Sequence, residues 1–195
     1  MRVVFLGPPG SGKGTQAKLL AERLNVPAIS TGEMLRAAVL EGTPLGGKVK
    51  AVMEAGELVS DDLMIALIRE RIAAPDAAEG FVLDGFPRTV DQALALESIL
   101  KGNEKTVSAV VNLTVPEAVL IDRLAGRSGL EHRTDDRRDT VLERLKVYHQ
   151  KTEPLIDFYR RRDLLTEVDG IGTVPEITER LGSALRQGRP ARGVA

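Results

Sequence analysis

The sequence predicts an α/β fold in which helices cover both faces of a doubly wound, five-stranded parallel sheet. The first observation is that short apolar runs alternate with longer segments whose apolar residues recur at helical spacing. The second is a glycine-rich turn between the first apolar run, 3–6, and the first helical segment. The third is size, because 195 residues with 43% hydrophobic content can bury one sizeable core. Right-handed connections between parallel strands then put helices on both sides of the sheet.

Each predicted element follows from a local signal. The predicted strands are apolar runs bounded by glycine, proline or polar residues, at 3–6, 25–29, 81–84, 107–113 and 164–168. The predicted helices have a mainly apolar face, and they cover 16–24, 30–40, 48–55, 61–72, 91–100, a stretch from 116, a stretch from 137 that is interrupted near 154, and 174–185.

Capping residues and breakers set the predicted helix ends. Ser30 and Glu33 have the spacing of a capping box, and Asp61 or Asp62 is expected to cap a later helix. The segment 42–47 holds three glycines and a proline, so we expect it to separate two helices. Thr152 is expected to cap a new helix where proline interrupts the stretch from 137.

Charge and composition exclude several classes of partner. The 27 basic and 28 acidic residues are mixed along the chain and give a net charge of −1, so no bulk attraction to nucleic acid or to an acidic membrane is expected. The run at 3–6 is too short for a signal peptide, and no run approaches the ~20 apolar residues that span a bilayer. The chain has no cysteine, which excludes disulfides and thiolate zinc sites and fits a cytoplasmic location.

The segment 7–15, with the sequence GPPGSGKGT, has the chemistry of a phosphate-binding loop. Its glycines let several backbone N–H groups point at one anion, and the following helix adds its unpaired N–H groups and positive dipole end. Lys13 can reach the outer phosphates, and the Thr15 hydroxyl can help to place Mg²⁺. The strict pattern has Ser or Thr directly after the lysine, whereas Gly14 intervenes here, so the segment is a variant. A helix cap beside a surface lysine is the simpler alternative.

Asp84 ends the apolar run 81–84 and is followed by Gly85, in the manner of a Walker B strand. A carboxylate at the carboxyl end of a parallel strand faces the crevice in which ligands bind. We therefore expect Asp84 to face the same crevice as the glycine-rich loop. An aspartate before glycine is also a common turn residue, which is the alternative interpretation.

Six arginines stand at element ends, in helices beside loops or in loops, from which they could converge on this crevice: Arg36, Arg88, Arg123, Arg127, Arg133 and Arg144. Phosphoryl transfer needs aligned reactants and cations around the spread phosphate charge, rather than covalent chemistry by protein groups. Lys13 with several planar, bidentate arginines would supply those cations. Each arginine taken alone is more commonly a solvated surface residue.

Four separated motifs make the chain similar to the adenylate kinases, of the nucleoside monophosphate kinase family, over essentially its whole length. In chain order the motifs are GPPGSGKGTQ at 7–16, STGEMLR at 30–36, DGFPRTVDQ at 84–92, and RTDD at 133–136 with Arg144. The resemblance accounts for the displaced Thr15, since that family places glycine between the lysine and the threonine. It implies reversible transfer of the terminal phosphoryl group of MgATP to AMP, which gives two ADP.

The resemblance also implies a role for each site residue. Residues expected to bind ATP are Gly10, Ser11, Gly12, Lys13, Gly14, Thr15, Arg127 and Gly172. Residues expected to bind AMP are Thr31, Arg36, Glu57, Leu58, Val59, Gly85, Phe86, Pro87, Arg88, Gln92, Arg133 and Arg144. The expected catalytic residues are Lys13, Arg88, Arg123, Arg127, Arg133, Arg144 and Asp135, the last of which, or its neighbour Asp136, would order the arginines. Asp84 would orient water on Mg²⁺.

Adenine is the expected acceptor base. Base recognition requires polar groups that a wrong base leaves unpaired, and the Gln92 amide can both donate and accept toward the Watson–Crick edge of a purine. Related pyrimidine kinases typically have Ala after the serine that corresponds to Ser30 and an Asn-containing sequence after the Arg88 motif. Thr31 and the segment 89–92 therefore favour AMP. A pyrimidine or guanine monophosphate kinase is the alternative among enzymes.

A nucleotide-binding switch is a hypothesis from another class, because 169–172 has the Asp-x-x-Gly pattern of GTPases. That segment follows the last predicted strand, and the sequence contains no Asn-Lys-x-Asp guanine signature, so motif context disfavours a switch. A catalytically inactive binding protein is disfavoured because no charged member of the motif set is missing.

The expected organisation is a core at 1–29, 60–125 and 137–187, an AMP-binding insertion at 30–59, a short lid at 126–136 and a flexible tail at 188–195. The insertion and the lid are expected to close over bound nucleotides. Because the lid is short and the chain has no cysteine, no structural zinc is expected, and His132 in the lid is interpreted as an exposed histidine without a role. The resemblance favours a cytoplasmic monomer whose partners are ATP, AMP and ADP, without nucleic acid or membrane.

Overall fold

The computed structural model describes the backbone of residues 1–131 and 138–187 and, within these ranges, the side chains outside 127–139 and 187. The strands in this part of the chain are β1 Arg2–Leu6, β2 Ala28–Ser30, β3 Phe81–Asp84, β4 Ala109–Thr114 and β5 Leu165–Asp169. Neighbouring strands pair in parallel, in the order β2-β3-β1-β4-β5. The predicted five-stranded parallel sheet is therefore confirmed.

Helices connect the strands and cover both faces of the sheet. Within the described residues they are α1 Lys13–Leu24, α2 Thr31–Leu40, α3 Pro44–Glu54, α4 Asp61–Ile72, α5 Val90–Lys101, α6 Glu117–Glu131, α7 Arg138–Val147, α8 Pro154–Arg160 and α9 Val174–Gln187. A short 3₁₀ turn lies at Pro75–Ala77, and a π-helical turn at Tyr148–Thr152 precedes α8.

Alternate residues of β1 enter two apolar layers. Val4 and Leu6 enter the layer formed with α4, α5 and α8, whereas Val3 and Phe5 enter the layer formed with α1 and α9. These four side chains are at most 2% exposed. A strand that is apolar and buried on both faces belongs in the middle of a covered parallel sheet, which is where β1 lies.

The carboxyl ends of the central strands meet at one edge of the sheet. Phe5 of β1 pairs with Asp84 of β3, and Leu6 pairs with Asn112 of β4. The strand order reverses at β1, because β2 and β3 lie on one side of it and β4 and β5 on the other. A ligand crevice forms outside the carboxyl ends of the strands at such a point. The fold therefore puts the glycine-rich loop and Asp84 at the edge of the sheet where a ligand is expected.

Helix α3 begins at Pro44, earlier than the predicted start at 48. The Thr43 hydroxyl accepts a hydrogen bond from the Gly46 N–H at 3.1 Å, so this proline opens a helix and does not break one. Gly46 lies directly against α2, where an added Cβ would be 2.0 Å from the Ala38 carbonyl oxygen. The glycine therefore permits close contact between α2 and α3, which the sequence did not reveal.

Other element boundaries also differ from the prediction. β2 begins at Ala28, because Asn25 adopts a left-handed conformation with φ 52° at the end of α1. The cap residue of α4 is Ser60, and Asp61 is the first residue of the helix. Helix α6 continues to Glu131, across the boundary at 126 that was expected for the lid, since Gly126 and Gly129 weaken the helix without ending it.

Parts of the expected lid and tail lie outside the described residues, at 132–137 and 188–195, and His132 is among them. No helix in the part of the chain that the structure describes has both the length and the apolar content needed to cross a membrane.

Candidate active site

A cavity of about 570 Å³ lies at the carboxyl edge of the sheet, where β1 and β3 end. The predicted site residues that line it are Gly10, Gly12, Lys13, Gly14, Thr15, Arg36, Leu58, Asp84, Gly85, Pro87, Arg88, Arg123 and Arg144. Motifs that are far apart in the chain therefore come together around one cavity.

The glycine-rich loop surrounds the end of the Lys13 side chain. The Lys13 ammonium donates hydrogen bonds to the carbonyl oxygens of Gly7, at 2.6 Å, and of Pro8, at 2.8 Å. Gly12 precedes α1 with φ 94°, a left-handed conformation that glycine adopts without steric cost. Gly12 has no side chain to cap the helix, and the first residues of α1 line the cavity beside the lysine charge, so their N–H groups are available to an anion there.

Asp84 lies beside the first turn of α1. A Cβ added at Gly14 would be 3.4 Å from Asp84 Oδ2, and the Ser30 hydroxyl donates to the same oxygen at 3.4 Å. Thr15 is exposed and lines the cavity, whereas Ser11 is fully buried. The carboxylate of Asp84 thus faces the same cavity as the glycine-rich loop, as the strand pattern predicts.

Asp84 is the predicted metal-binding residue at this edge of the sheet. Among the described residues, no group of three or more His, Cys, Asp or Glu side chains is arranged to hold a metal ion. Mg²⁺ keeps several waters and binds proteins through one or two carboxylates together with substrate phosphates. Asp84, with the Ser30 and Thr15 hydroxyls in the same cavity lining, fits a magnesium ion that enters with a nucleotide.

Four of the six predicted arginines line the cavity: Arg36, Arg88, Arg123 and Arg144. The Arg36 guanidinium lies over the first turn of α2, where a Cβ added at Gly32 would be 3.2 Å from both Nη atoms. Arg88 donates from Nε to the Gly85 carbonyl oxygen at 2.9 Å. Both cationic side chains therefore lie along the cavity wall, where an anionic ligand would meet them.

Arg123 and Arg144 come from α6 and α7. Arg123 donates from Nη2 to the Gly170 carbonyl oxygen at 2.9 Å, which connects α6 to the loop after β5. Arg144 packs close to the end of α3, where a Cβ added at Gly56 would be 3.1 Å from Arg144 Cγ. Three further predicted catalytic residues, Arg127, Arg133 and Asp135, have side chains outside the described part of the chain.

A second cavity, of about 60 Å³, shares Arg36, Arg88 and Arg144 with the lining of the first. The predicted acceptor-site residues that line it are Thr31, Arg36, Glu57, Leu58, Val59, Gly85, Arg88, Gln92 and Arg144. Phe86 is fully buried, and Pro87 lines the larger cavity. The remaining walls include Leu35, Met53 and Met64, which the sequence does not distinguish from core residues because they fall at helical spacing.

The Gln92 amide, which is 1% exposed, is held at both ends. Its Oε1 accepts from the Arg88 N–H at 2.8 Å, and its Nε2 donates to Asp61 Oδ1 at 2.7 Å. The Thr89 hydroxyl donates to the other oxygen of Asp61 at 2.9 Å. From the sequence, Asp61 is predicted only as a helix cap. Its hydrogen-bond partners, Thr89 and Gln92, lie at the start of another helix, and no local sequence pattern indicates such a contact.

The loop between β5 and α9 lies at the same edge of the sheet. Gly172 is in this loop with φ 120°, outside the cavity lining, whereas Val174 is part of that lining. The Gln16 amide donates to the Val174 carbonyl oxygen at 3.1 Å, and the Thr178 hydroxyl donates to Gln16 Oε1 at 2.9 Å. Gln16 and Thr178 are at most 4% exposed, so a buried polar link holds this loop against α1. No local sequence pattern indicates this link, because Gln16 and Thr178 are far apart in the chain.

The π-helical turn brings Tyr148 and Thr152 to the large cavity. The Thr152 hydroxyl donates to the Arg88 carbonyl oxygen at 3.0 Å, so the turn is attached to the segment that carries Arg88. Burial, with a smaller effect of the Glu153 charge, raises the pKa of Tyr148 to about 12 and keeps its hydroxyl protonated at neutral pH. Neither contribution to the site could be predicted from the sequence, since π turns have no distinct propensity signal.

The sequence model of a family described as adenylate kinase matches residues 5–164, which is most of the chain. The chain belongs to the adenylate kinase family. An adenylate kinase from Leptospira biflexa is 51% identical over 177 residues, which are 91% of this chain and 95% of that protein. Adenylate kinases from Xylella fastidiosa and Xanthomonas campestris are 49% identical over 185 residues, which are 95% of this chain and 99% of theirs. The resemblance to adenylate kinases that the motifs indicate is thereby confirmed.

Proposed function

We propose that the protein catalyses reversible transfer of the terminal phosphoryl group of MgATP to AMP, giving two ADP, and so balances adenine nucleotides. The observation that carries the proposal is the junction of the two cavities. A phosphate-binding loop lines the large cavity, a buried amide lines the small one, and Arg36, Arg88 and Arg144 line both. Two nucleotides that meet through their phosphates need cations at such a junction, because the phosphate charge gathers there.

The phosphates of ATP are proposed to bind in the glycine-rich loop, at 10–15. The N–H groups at the start of α1 supply donors, and the helix dipole favours negative charge at this end. The Lys13 ammonium lies in the same loop, where it donates to the Gly7 and Pro8 carbonyl oxygens, and we propose that it follows the transferring phosphoryl group. Arg127 and the backbone near Gly172 are proposed to contact the rest of ATP.

Transfer is proposed to occur by direct in-line displacement. An oxygen of the AMP phosphate attacks the γ-phosphorus of ATP, the bond to the β-phosphate oxygen breaks, and no phosphoenzyme forms. Catalysis then depends on alignment and on cations placed where charge develops. Lys13, Arg88, Arg123 and Arg144 are the proposed cations among the described side chains, and Arg127 and Arg133, ordered by Asp135, complete the proposed set.

Asp84 is proposed to hold the Mg²⁺ that enters with ATP, through the water molecules of the ion. When bound, the ion neutralises part of the phosphate charge. The position of Asp84 supports this role, because its carboxylate lies beside Gly14 of the loop and accepts from the Ser30 hydroxyl at 3.4 Å. The small donor set suits an ion that enters and leaves with the nucleotide. No structural zinc is proposed.

The base of AMP is proposed to bind at the small cavity, against Gln92, where the cavity must widen to admit it, and the AMP phosphate is proposed to reach the shared arginines. Thr31 and the segment 57–59 line this cavity with Gln92, and the shared arginines lie on the side that faces the phosphate-binding loop. Adenine carries an amine donor at C6 and an acceptor at N1, and an amide can meet both. A pyrimidine presents a smaller ring, and guanine presents the opposite pattern at these two positions, so both would leave buried groups unpaired. The turn at 85–87 is proposed to complete the acceptor site.

The proposed organisation is a core at 1–29, 60–125 and 137–187, an acceptor-binding insertion at 30–59, a lid at 126–136 and a flexible tail at 188–195, with the insertion and the lid closing over both nucleotides. The insertion carries Arg36, and its end meets α7, where the Thr140 hydroxyl donates to the Glu54 carbonyl oxygen at 3.3 Å. Closure would exclude water, which otherwise competes with AMP for the phosphoryl group. The mixed surface charge and the lack of cysteine support a cytoplasmic monomer.

An acceptor scan tests the proposed function. Purified protein is supplied with MgATP and with AMP, GMP, CMP or UMP, and ADP formation is followed by a coupled assay. The expected result is that kcat/KM for AMP exceeds that for the other acceptors by about 10²-fold or more, because a wrong base leaves the buried amide unpaired. Preference for CMP or UMP would overturn the choice of acceptor, and failure to transfer to any of the four would overturn the phosphotransferase assignment.

A further inference from the structure

Asp61 lies behind Gln92, outside the lining of the two site cavities. It is the first residue of α4 and follows closely on the segment 57–59, which lines the small cavity. Each carboxylate oxygen accepts a hydrogen bond from a described residue: Oδ1 accepts from Gln92 Nε2 at 2.7 Å, and Oδ2 accepts from the Thr89 hydroxyl at 2.9 Å. The Thr89 oxygen in turn accepts from the Gln92 N–H at 3.2 Å. These three residues therefore form a closed set of hydrogen bonds between α4 and the start of α5.

The partners of Gln92 determine which way its amide faces. An amide can exchange the positions of its oxygen and nitrogen by a half-turn about its last torsion. The Arg88 N–H can only donate and the Asp61 carboxylate can only accept, so one of the two orientations makes both hydrogen bonds. The other orientation would set the amide NH₂ against the Arg88 N–H and the amide oxygen against the Asp61 carboxylate. Because Gln92 is 1% exposed, water could not replace the two lost hydrogen bonds.

We propose that Asp61 is a positioning residue that sets the acceptor-base specificity of this site by locking the Gln92 amide in one orientation. This inference rests on the function proposed above. The locked amide offers its second N–H and its remaining oxygen lone pair to the base in a fixed order. Adenine has an amine donor at C6 and an acceptor at N1, whereas hypoxanthine has the same shape with an oxygen at C6 and an N–H at N1. A locked amide distinguishes these two bases, and an amide that can turn would accept either.

Asp61→Asn is the direct test, because it keeps the shape of the side chain and lets either an oxygen or an NH₂ group face Gln92. Kinetics are measured with AMP and with IMP as acceptors, and the dissociation constants of both nucleotides are measured by calorimetry. The expected result is a fall in AMP-over-IMP selectivity of about tenfold, the worth of one buried hydrogen bond. The fall in selectivity is expected to come from a higher KM for AMP, with kcat changed by less than about twofold, since the proposed phosphate-binding cations are unchanged.

Asp62→Asn is the matched control. It removes the same charge from the same first turn of α4, but Asp62 is exposed and its side chain makes no hydrogen bond to any residue that the structure describes. The selectivity of this variant is expected to equal that of the wild type. Thr89→Val tests the same hydrogen-bonded set from a second residue. It removes the donor to Asp61 Oδ2 and is expected to lower selectivity, whereas Thr89→Ser keeps a hydroxyl and is expected to retain the selectivity of the wild type.

Two results would overturn the positioning role. One is unchanged selectivity in folded Asp61→Asn and Thr89→Val proteins, and the other is an equal loss for AMP and IMP, which indicates general damage to the pocket. In a Gln92→Ala background Asp61→Asn is expected to change selectivity no further, and an additional change would also contradict the proposal. A wild-type protein that binds AMP but transfers nothing to it would overturn the proposed function instead, and the calorimetric ratio would still decide the role of Asp61.

Discussion

At the scale of single residues, Lys13 combines two effects. Its ammonium bridges the Gly7 and Pro8 carbonyl oxygens, at 2.6 and 2.8 Å, and these bonds hold the glycine-rich loop in a curve. The same charge lies where the loop N–H groups and the start of α1 would bind phosphate. The lysine therefore shapes the loop and supplies part of the positive charge that the proposed reaction requires.

Lys13→Met is expected to lower kcat/KM for ATP by about 10²–10³-fold, because methionine keeps much of the length of the side chain but removes its charge and its donors. Steady-state kinetics at saturating AMP measure the effect, and circular dichroism checks the fold. Lys101→Met is the control, since Lys101 is exposed at the end of α5 and lines neither site cavity. Retention of near wild-type turnover by Lys13→Met would contradict the role of the lysine.

Site residues could be predicted from the sequence where one contiguous motif carries their chemistry. Lys13, Arg88 and Gln92 stand in such motifs, and each lines a cavity at the carboxyl edge of the sheet. Asp61 and Thr152 are predicted only as helix caps, and neither is one, because the cap residues of α4 and α8 are Ser60 and Glu153. Their site contacts join residues 31 and 64 positions apart, to Gln92 and to the Arg88 carbonyl oxygen, and no local pattern reports such a contact.

At the scale of secondary-structure elements, the segment 42–47 shows where local signals fail. Its glycines and proline predict a break between two helices, and the structure uses Pro44 to start α3 and Gly46 to bring α3 against α2. A glycine in a helix can mark a helix end or a close approach of another backbone, and the sequence does not distinguish the two. Tertiary contact decides between them.

The two adjacent glycines provide a paired test of that contact. Gly46→Ala is expected to lower the free energy of unfolding by about 1–3 kcal/mol, because its Cβ would be 2.0 Å from the Ala38 carbonyl oxygen and α2 and α3 would have to separate. Gly47→Ala is expected to be neutral or to stabilise by up to about 1 kcal/mol, since nothing lies within 4 Å of its added Cβ. Urea unfolding measures both, and equal effects would contradict the contact.

At the scale of the whole molecule, the direction of the strands explains why the site could be located from the sequence. Alternating strands and helices predict a parallel sheet, and all carboxyl ends of a parallel sheet lie at one edge. The loop after β1, Asp84 at the end of β3 and the loop after β5 meet at that edge for this reason. The order of the strands was not predicted, because it depends on which apolar faces pack together.

In the proposed reaction, ATP gives its terminal phosphoryl group to AMP, and not to water or to the protein, within one cleft. The most direct measurement follows the label from ATP that carries ³²P in its γ-phosphate, with Mg²⁺, in the presence and absence of AMP. With AMP present, we expect one ADP labelled in its β-phosphate for each ATP consumed. Without AMP, we expect labelled inorganic phosphate to be released far more slowly than ADP forms in its presence. Label released as inorganic phosphate as fast as ADP forms, or label bound covalently to the protein, would contradict it.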